Sequence, residues 1–295
     1  MFKELRNEAR CTFQLKTASP LLIKGPSEPG LDPLLPDMRF VRTRNGSKSQ
    51  PFIPGSSLKG VFRNRAEQVI SAILRGLDMK VLPLGDNAWK DKMKNRDGRQ
   101  RYYLSDPVIQ LFGQQYLAGR AAFRDAFPVD GEPLMMGERS HVMINRITGG
   151  AQGKGLFNPE VVEEGTFAAE VVITNFACWQ LMLFGYLLKD LDEGYMLLGT
   201  ATTRGYGRVQ VANAEVSIRD YRHYKSADEV RNRIVGYEDG DQKDEVACEG
   251  LLYTKKGYRW ETTLSGYDWL MKLPLDLRES MENLQRKQKE VVRGG

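Results

Sequence analysis

Alternating apolar and polar positions predict the strands of this chain. Residues 10–17 set Cys11, Phe13 and Leu15 against polar neighbours, which is typical of a half-buried first strand. The other single strands are predicted over residues 119–127, 166–174 and 209–216. A further strand pair is predicted within residues 250–264.

Apolar residues spaced three and four apart predict helices. The clearest helix spans about residues 57–75, and its apolar face carries Leu58, Phe62, Ala66, Val69 and Ile73. Pro51 and Pro54 keep the chain extended before it, and Ser56 or Ser57 is expected to cap its first amides. The remaining helices are predicted over residues 105–113, where Gly113 ends the helix, over residues 177–190, and at the C-terminus.

The C-terminal helix presents one apolar stripe, and its docking partner stays open at this stage. The stripe consists of Leu277, Met281, Leu284 and Val291. Such a stripe packs either on the helix's own domain or on a neighbouring subunit.

The order of elements predicts an α+β fold. Strand, long loop, helix, strand, hairpin, strand, helix and strand follow one another, as in a ferredoxin-like (RRM-like) core. We expect one domain over residues 1–220, with a long loop at residues 18–51, an exposed insertion at about 76–104 and a hairpin region at about 128–160. Residues 221–295 then form a C-terminal extension.

Composition narrows the class of protein. Of the 295 residues, 41% are hydrophobic, and no run of about 18 apolar residues predicts a membrane span. No apolar signal segment opens the chain, and three scattered cysteines favour a reducing cytoplasm over a disulfide framework or zinc site. The formal net charge of +5 is compatible with a nucleic-acid partner.

The start of the first helix is a candidate phosphate-binding site. Free amides and partial positive charge attract phosphate there, and Lys59, Arg63 and Arg65 add full charges. The spacing of Gly55, Lys59 and Gly60 does not match a P-loop. The alternative interpretation is a capped core helix with solvated basic residues.

Two later stretches also carry candidate chemistry. Residues 138–157 predict a basic hairpin with a glycine-rich tip. Residues 198–209 form a second glycine-rich stretch, in which Arg204 and Arg208 supply charge for phosphate and Tyr206 offers a ring for stacking or packing. Glycines in this loop allow a ligand backbone to come close.

Three motifs in order resemble the RAMP superfamily, and most closely the backbone subunits of type III CRISPR interference complexes. They are Pro54-Gly-Ser-Ser-Leu-Lys-Gly60, the pair Leu111-Phe-Gly113 and Phe123-Arg-Asp-Ala-Phe127, and the loop Leu198–Val209. The resemblance covers roughly residues 10–218 and makes residues 1–220 a RAMP domain.

The resemblance implies that the chain binds CRISPR RNA, pairs it with a complementary target RNA, and assembles with other RAMP subunits. Contacts should go to phosphate and sugar, because such a subunit accepts any spacer sequence. The hairpin region becomes a thumb whose Met143 and Ile147 wedge into the guide–target duplex. The implied RNA-binding residues are Gly55, Ser56, Ser57, Lys59, Arg63, Arg146, Arg204, Gly205, Tyr206 and Arg208.

The resemblance also implies cleavage of the target RNA by an aspartate in the long loop. The family's Gly-x-Asp corresponds to Gly30-Leu31-Asp32, with Asp37 as the fallback. Asp32 would hold a divalent metal, with Mg²⁺ expected, while a ribose 2′-OH attacks the adjacent phosphate. Without the resemblance, Asp32 is a residue of a solvated Asp-Pro turn.

Other functions stay open. The chain is alternatively a non-catalytic structural or capping subunit with Asp32 idle. A repeat-processing endoribonuclease of the same superfamily would use a histidine, and the chain has only His141 and His223. A metabolic nucleotide-binding enzyme is the third alternative, and neither a P-loop nor a Rossmann fingerprint supports it.

Overall fold

The structure is a computed structural model of the chain, and it describes residues 4–25, 38–45, 48–77, 93–237 and 244–293. The helices discussed here are α1 (Gly55–Gly76), α2 (Gly98–Leu104), α3 (Pro107–Phe112), α4 (Cys178–Asp192), α5 (Asp268–Met271) and α6 (Leu277–Arg293). The strands are β1 (Asn7–Thr17), β2 (Arg42–Asn45), β3 (Lys48–Pro51), β4 (Ala121–Phe123), β5 (Phe127–Pro128), β6 (Leu134–Glu138), β7 (His141–Ile144), β8 (Ala151–Phe157), β9 (Glu160–Thr174), β10 (Val209–Asp220), β11 (Arg233–Val235), β12 (Glu245–Ala247), β13 (Thr254–Lys256) and β14 (Arg259–Ser265).

The main sheet is antiparallel, and its core has ferredoxin-like topology. Its strands follow the order β13-β14-β10-β1-β9-β4, and β5 and β6 also pair with β9. The strands β1, β4, β9 and β10 are the first to fourth core strands, so their order across the sheet is fourth, first, third, second. With α1 after β1 and α4 after β9, this arrangement confirms the predicted α+β ferredoxin-like fold.

The side chains of β1 show that one face of the sheet is packed and the other is open. Cys11, Phe13 and Leu15 are buried as predicted, in one cluster with residues of α1 and α4. The alternate positions Arg10 and Thr12 are only half-buried, because successive side chains of a strand point to opposite faces. The core therefore lies between the sheet and the two helices.

The buried face of α1 differs from the predicted one after Ala66. Ile70 and Leu74 are buried, whereas the predicted Val69 and Ile73 are half-buried at the edge of the core. The buried positions follow steps of four residues, which form a ridge inclined to the helix axis. A packing contact along that ridge moves around the helix, so the straight stripe predicted from the sequence was wrong in its second half.

The predicted short helix before Gly113 is confirmed as α3. The carboxylate of Asp106 caps it by accepting a hydrogen bond from the Val108 amide at 2.8 Å. Gly113 follows with a φ of +81°, and a Cβ there would lie 2.3 Å from the Gly119 nitrogen. Both the backbone conformation and the close packing therefore require glycine at this position.

The insertion predicted to be exposed contains buried residues in its described part. Met93, Tyr102 and Tyr103 are buried, and the two tyrosines belong to α2. Gln288 of α6 donates a hydrogen bond to the Ser105 carbonyl at 3.3 Å. The insertion packs against the C-terminal helix, a contact that a local charge pattern does not reveal.

The C-terminal extension completes the sheet edge and then returns to the domain. β14 pairs with β10, so the extension covers the edge that the core strands would otherwise leave open. Met281 and Leu284 of α6 are buried in the core of this same chain, which settles the question of what that helix docks on. In the described ranges, no helix has the length and apolar character needed to cross a membrane.

Candidate nucleic-acid-binding surface

The first turn of α1 is capped from a distant part of the chain. The Gly55 amide donates to the Asp125 carboxylate at 2.8 Å, and no side chain from Ser56 or Ser57 caps the helix. The expectation of a serine cap was therefore wrong. Asp125 reaches Gly55 because the Ile53 amide donates to the Ala126 carbonyl at 2.8 Å, which also divides the predicted strand 119–127 into β4 and β5.

Gly55 and Gly60 have different surroundings. A Cβ on Gly55 would lie 2.4 Å from the Phe123 carbonyl oxygen, so this glycine lets the helix start approach β4. A Cβ on Gly60 would meet nothing within 4 Å. Ser56 is exposed and Ser57 is half-buried. Open space at this helix start therefore lies at Ser56 and Gly60, while Gly55 serves packing.

The basic residues of α1 are unequally available. Desolvation, and next the charge of Arg63, lower the pKa of the half-buried Lys59. Arg63 pairs with Glu67 at 2.9 Å and donates to the Gly113 carbonyl at 3.0 Å. Arg65 pairs with Asp190 of α4 at 2.7 Å. Lys59 is thus the cation set closest to the helix start, while Arg63 and Arg65 also hold the fold together.

The glycine-rich loop is fastened to the chain that leaves β1. The Gly207 amide donates to the Pro20 carbonyl at 2.9 Å, and the Thr200 amide donates to the Leu22 carbonyl at 2.8 Å. A Cβ on Gly199 or Gly207 would lie 2.1 Å from a carbonyl oxygen, and both glycines have positive φ. These two glycines are required by packing inside the protein.

The tip of the same loop faces open space. Gly205 has a φ of +85°, but a Cβ there would meet nothing within 4 Å. Arg204 and Arg208 are exposed on either side of it. Among the loop positions predicted to contact RNA, these three are accessible to a ligand.

Tyr206 points inward from that loop. Its side chain is 5% exposed and packs with Leu22 and Val161. Its hydroxyl group lies 2.7 Å from Nε2 of His141, the first residue of β7. Of the two roles that the sequence left open for the ring, packing is the one its burial favours.

Residues His141–Phe157 form the predicted hairpin and present apolar side chains to solvent. Ile147 is 95% exposed at the tip, and Met143 is 52% exposed. The Asn145 side chain accepts hydrogen bonds from the amides of Ile147 and Thr148, at 2.8 and 3.2 Å, which fixes the turn. Arg146 is exposed beside them. An apolar tip held by a polar turn has the form expected of a wedge.

The long loop after β1 leaves and returns beside the base of this hairpin. The Gly25 amide donates to the Arg39 carbonyl at 3.0 Å, and the Glu160 amide at the start of β9 donates to the Met38 carbonyl at 2.8 Å. The predicted catalytic residue Asp32, its neighbours Gly30 and Leu31, and the fallback Asp37 lie outside the described residues. Their roles stay predictions.

A row of backbone hydrogen bonds joins the glycine-rich loop, the stems of residues 18–51 and the start of α1 into one framework. The Val41 amide donates to the Ile23 carbonyl at 2.8 Å, and the Phe52 amide donates to the Val41 carbonyl at 3.4 Å. Leu22, next to Ile23, holds the glycine-rich loop through Thr200. The loop, the stems of residues 18–51 and the start of α1 are therefore neighbours, although they are far apart in the sequence.

The open face of the sheet offers charges that are already paired. Arg10 and Arg124 both contact the Glu170 carboxylate at 2.6 Å. The positions flanking Thr12 across the sheet are Glu170 and Glu215. An aromatic ring at the edge of this face, that of Phe127, which pairs with Ala168, is stacked on Phe52 with centroids 5.9 Å apart, unlike the free rings on which an RRM stacks bases. The connected motif framework is the better candidate for binding nucleic acid.

Within the described ranges, no group of three or more His, Cys, Asp or Glu side chains is arranged to hold a metal ion. The divalent metal expected at Asp32 therefore has no support among these residues and stays a prediction. His223 is exposed after β10.

The sequence interpretation missed Asp125 as the helix cap and His141 as the partner of Tyr206. Asp125 lies within the motif Phe123-Arg-Asp-Ala-Phe127, whereas no local sequence pattern indicated the contact between His141 and Tyr206.

The fold and this framework define the class of protein. The RAMP superfamily family model matches residues 14–210, more than half of the 295-residue chain, and the chain belongs to that superfamily. It is also similar to the CRISPR system Cms endoribonuclease Csm3 of Methanothermobacter thermautotrophicus. The two are 27% identical over 192 residues, which is 59% of this chain and 73% of that protein.

Proposed function

We propose that this protein is a CRISPR RNA-binding backbone subunit of a type III interference complex, and that it cleaves target RNA paired to the guide. The observation that carries the proposal is the hydrogen-bonded framework that brings the glycine-rich loop, the α1 start and the thumb base together. The similarity to Csm3, named as a CRISPR system endoribonuclease, supports the same assignment. In such a complex the chain functions in antiviral defence beside other RAMP subunits in the cytoplasm.

The guide RNA is held through its backbone. Lys59, Arg204 and Arg208 supply cations, and exposed Ser56 and Gly205 leave room for phosphate and sugar. Contacts of this kind carry no sequence information, as a subunit that accepts any spacer requires. Arg63 and Arg146 are the further cations of this surface, while Gly55, Ser57 and Tyr206 shape it from within.

Cleavage is assigned to Asp32, in the loop whose stems at Gly25 and Met38 lie beside the thumb base. The wedge residues Met143 and Ile147 enter between stacked bases and splay the target strand, because inserted apolar side chains unstack nucleic acid. Splaying orients a ribose 2′-OH for attack on the adjacent phosphate. A divalent cation held at Asp32 would supply Lewis-acid assistance.

The alternatives differ in what His141 and Asp32 do. A repeat-processing enzyme would need His141 or His223 as its base; Nε2 of His141 is engaged by the Tyr206 hydroxyl, and His223 is exposed after β10. A structural or capping subunit would use the same RNA-binding surface and leave Asp32 idle. The proposal of a cleaving subunit is therefore separable from both by experiment.

The test is to produce the full chain with its partner subunits and a CRISPR array, purify the complex, and sequence the bound RNA. We expect processed guide RNA, and cutting of a labelled complementary RNA when Mg²⁺ is added. Absence of guide RNA would overturn the proposed RNA-binding function. Target binding without cutting would favour the structural or capping subunit.

A further inference from the structure

The strands of the thumb hairpin, β7 and β8, pair with each other and with no other described strand. A two-stranded hairpin is marginally stable in water by itself. The direction in which its tip points must therefore be set by contacts between the base and the rest of the domain.

At this base, His141 makes a well-defined contact with the glycine-rich loop. Its Nε2 lies 2.7 Å from the Tyr206 hydroxyl. Its ring stacks on Phe157 of β8, with centroids 5.1 Å apart and planes 19° apart. The Arg204 guanidinium lies 5.6 Å from the centre of the same Phe157 ring. Both strands of the hairpin thus touch the loop.

Tyr206 provides a fixed anchor for this contact. Its ring is 5% exposed in a cluster with Leu22 and Val161. The next residue, Gly207, is held by the hydrogen bond from its amide to Pro20. His141 therefore joins the hairpin, whose strands pair with no other described strand, to a part of the loop that is firmly packed.

We infer that His141 and Tyr206 are positioning residues that form a thumb latch, defined as their hydrogen bond together with the stack on Phe157. The latch fixes the hairpin relative to the glycine-rich loop and so sets where Met143 and Ile147 enter a duplex. The second half of this inference rests on the proposed function, whereas the latch itself does not.

The chemistry of the pair selects the variants for a test. The Tyr206 hydroxyl donates where Nε2 of His141 carries no proton, and a protonated Nε2 would donate to the Tyr206 oxygen instead. Tyr206→Phe removes this bond and keeps the buried ring. His141→Leu removes it from the other side. His141→Gln places a polar group near the former Nε2 and serves as the conservative variant.

The first measurement follows the thumb in the full chain without RNA. Spin labels are placed at Thr148→Cys on the hairpin tip and at Lys189→Cys on α4, with Cys248 replaced by serine. Cys11 and Cys178 are buried and stay unlabelled. The labelled protein should give a narrow distance distribution. Loss of a hydrogen bond shifts the ratio of closed to open thumb by about fivefold, so Tyr206→Phe and His141→Leu should broaden it.

Two comparisons test whether loss of the latch causes the broader distance distribution. His141→Gln keeps a polar partner for Tyr206 but loses the stack on Phe157, so its distribution should stay narrower than that of His141→Leu. The double variant of Tyr206→Phe and His141→Leu should be no broader than His141→Leu alone, because that change has already removed the bond. Distributions as narrow as the parent's in both Tyr206→Phe and His141→Leu would overturn the inference.

The second measurement maps the ends of target fragments cut by the assembled complex. Among the target fragments that are cut, Tyr206→Phe should spread the cut over neighbouring positions. Loss of cutting in His141→Leu and His141→Gln with an unchanged distance distribution would make His141 a catalytic residue and overturn a positioning role. If the parent complex holds no guide RNA, the proposed function fails, while the distance measurement still decides on the latch.

Discussion

The Asp125 carboxylate lies 2.8 Å from the backbone nitrogen of Gly55, so α1 is capped by a residue seventy positions further along the chain. Asp125 belongs to Phe123-Arg-Asp-Ala-Phe127, and Gly55 belongs to Pro54-Gly-Ser-Ser-Leu-Lys-Gly60. Two motifs that mark the superfamily are thus held together by one hydrogen bond. The same carboxylate places a negative charge beside the proposed phosphate site.

Replacing this cap should destabilise the protein. Asp125→Ala leaves the Gly55 amide without its acceptor, and we expect the free energy of unfolding to fall by about 1 kcal/mol, as for other helix caps. Asp125→Asn keeps an acceptor oxygen and should lose much less. Urea unfolding followed by circular dichroism measures both. Equal stability of the alanine variant and the parent would contradict the capping role.

Lys59→Ala should weaken guide-RNA binding equally for every spacer sequence. Loss of one phosphate contact lowers the slope of log affinity against log salt by about one. Arg75→Ala, at the far end of the same helix, is the matched control and should leave the slope unchanged. Binding titrations at several salt concentrations test this. If Lys59→Ala has the parent slope and affinity, the start of α1 is a capped core helix without an RNA contact.

The glycines of the loop should separate folding from RNA binding. Gly207→Ala puts a Cβ 2.1 Å from the Leu198 carbonyl oxygen and should lower the melting temperature strongly. Gly205→Val adds backbone strain at positive φ, but its Cβ would meet no described atom within 4 Å, so its main effect should fall on RNA retention. Gly205→Val should also reduce assembly more than Tyr206→Phe does. Normal complexes with Gly205→Val would mean that RNA does not approach this tip.

Asp32→Ala should abolish cutting of the target RNA at the site served by this subunit. The sequence predicts a solvated Pro- and Gly-rich loop around Asp32, and substitutions in such a loop change stability by about 0.5 kcal/mol or less, so folding, guide binding and target binding should persist. Asp37→Ala is the control and should cut normally, while chelation of divalent metal should imitate Asp32→Ala. A labelled complementary RNA is incubated with each complex. Full cutting by the Asp32 variant would refute the assignment, and loss in the Asp37 variant alone would move it to Asp37.

Asp106 predicts a pH dependence of stability. Burial, with a contribution from the charge of Glu67, raises the pKa of Asp106 to about 6. The folded state therefore binds a proton more tightly than the unfolded state, and the free energy of unfolding falls as pH rises from about 4 to about 6. Asp106→Asn keeps an oxygen that accepts from the Val108 amide and avoids burying a charged carboxylate. It should be about 1–3 kcal/mol more stable than the parent at pH 7 and equal to it below pH 4.

Unfolding by urea at pH 4, 5, 6 and 7 follows this difference. Asp97→Asn is a suitable control, because Asp97 caps α2 in the same way by accepting from the Gln100 amide but lies exposed. A constant difference between Asp106→Asn and the parent at all four values would show that Asp106 does not titrate as described.

The sequence by itself determined the fold class, the main elements and the family. Alternation in β1 and the apolar spacing in the first half of α1 are local consequences of strand and helix periodicity, and the structure keeps both. The turn at Gly113 was also readable, since it depends on backbone conformation at one residue. The three motifs carried the resemblance that the family match confirmed.

Only the tertiary structure decided which distant groups meet. Asp125 caps Gly55, α6 docks beside α2, and His141 contacts Tyr206 across 65 positions. Each contact depends on chain segments that the sheet brings together, and no periodic pattern encodes a partner at such separation. Ser56 and Ser57 were reasonable candidates for the cap of α1 on sequence grounds. The backbone hydrogen bond between Ile53 and Ala126 instead places the Asp125 carboxylate at the Gly55 amide. Periodicity specifies which face of an element is buried, whereas packing of the whole chain selects what that face touches.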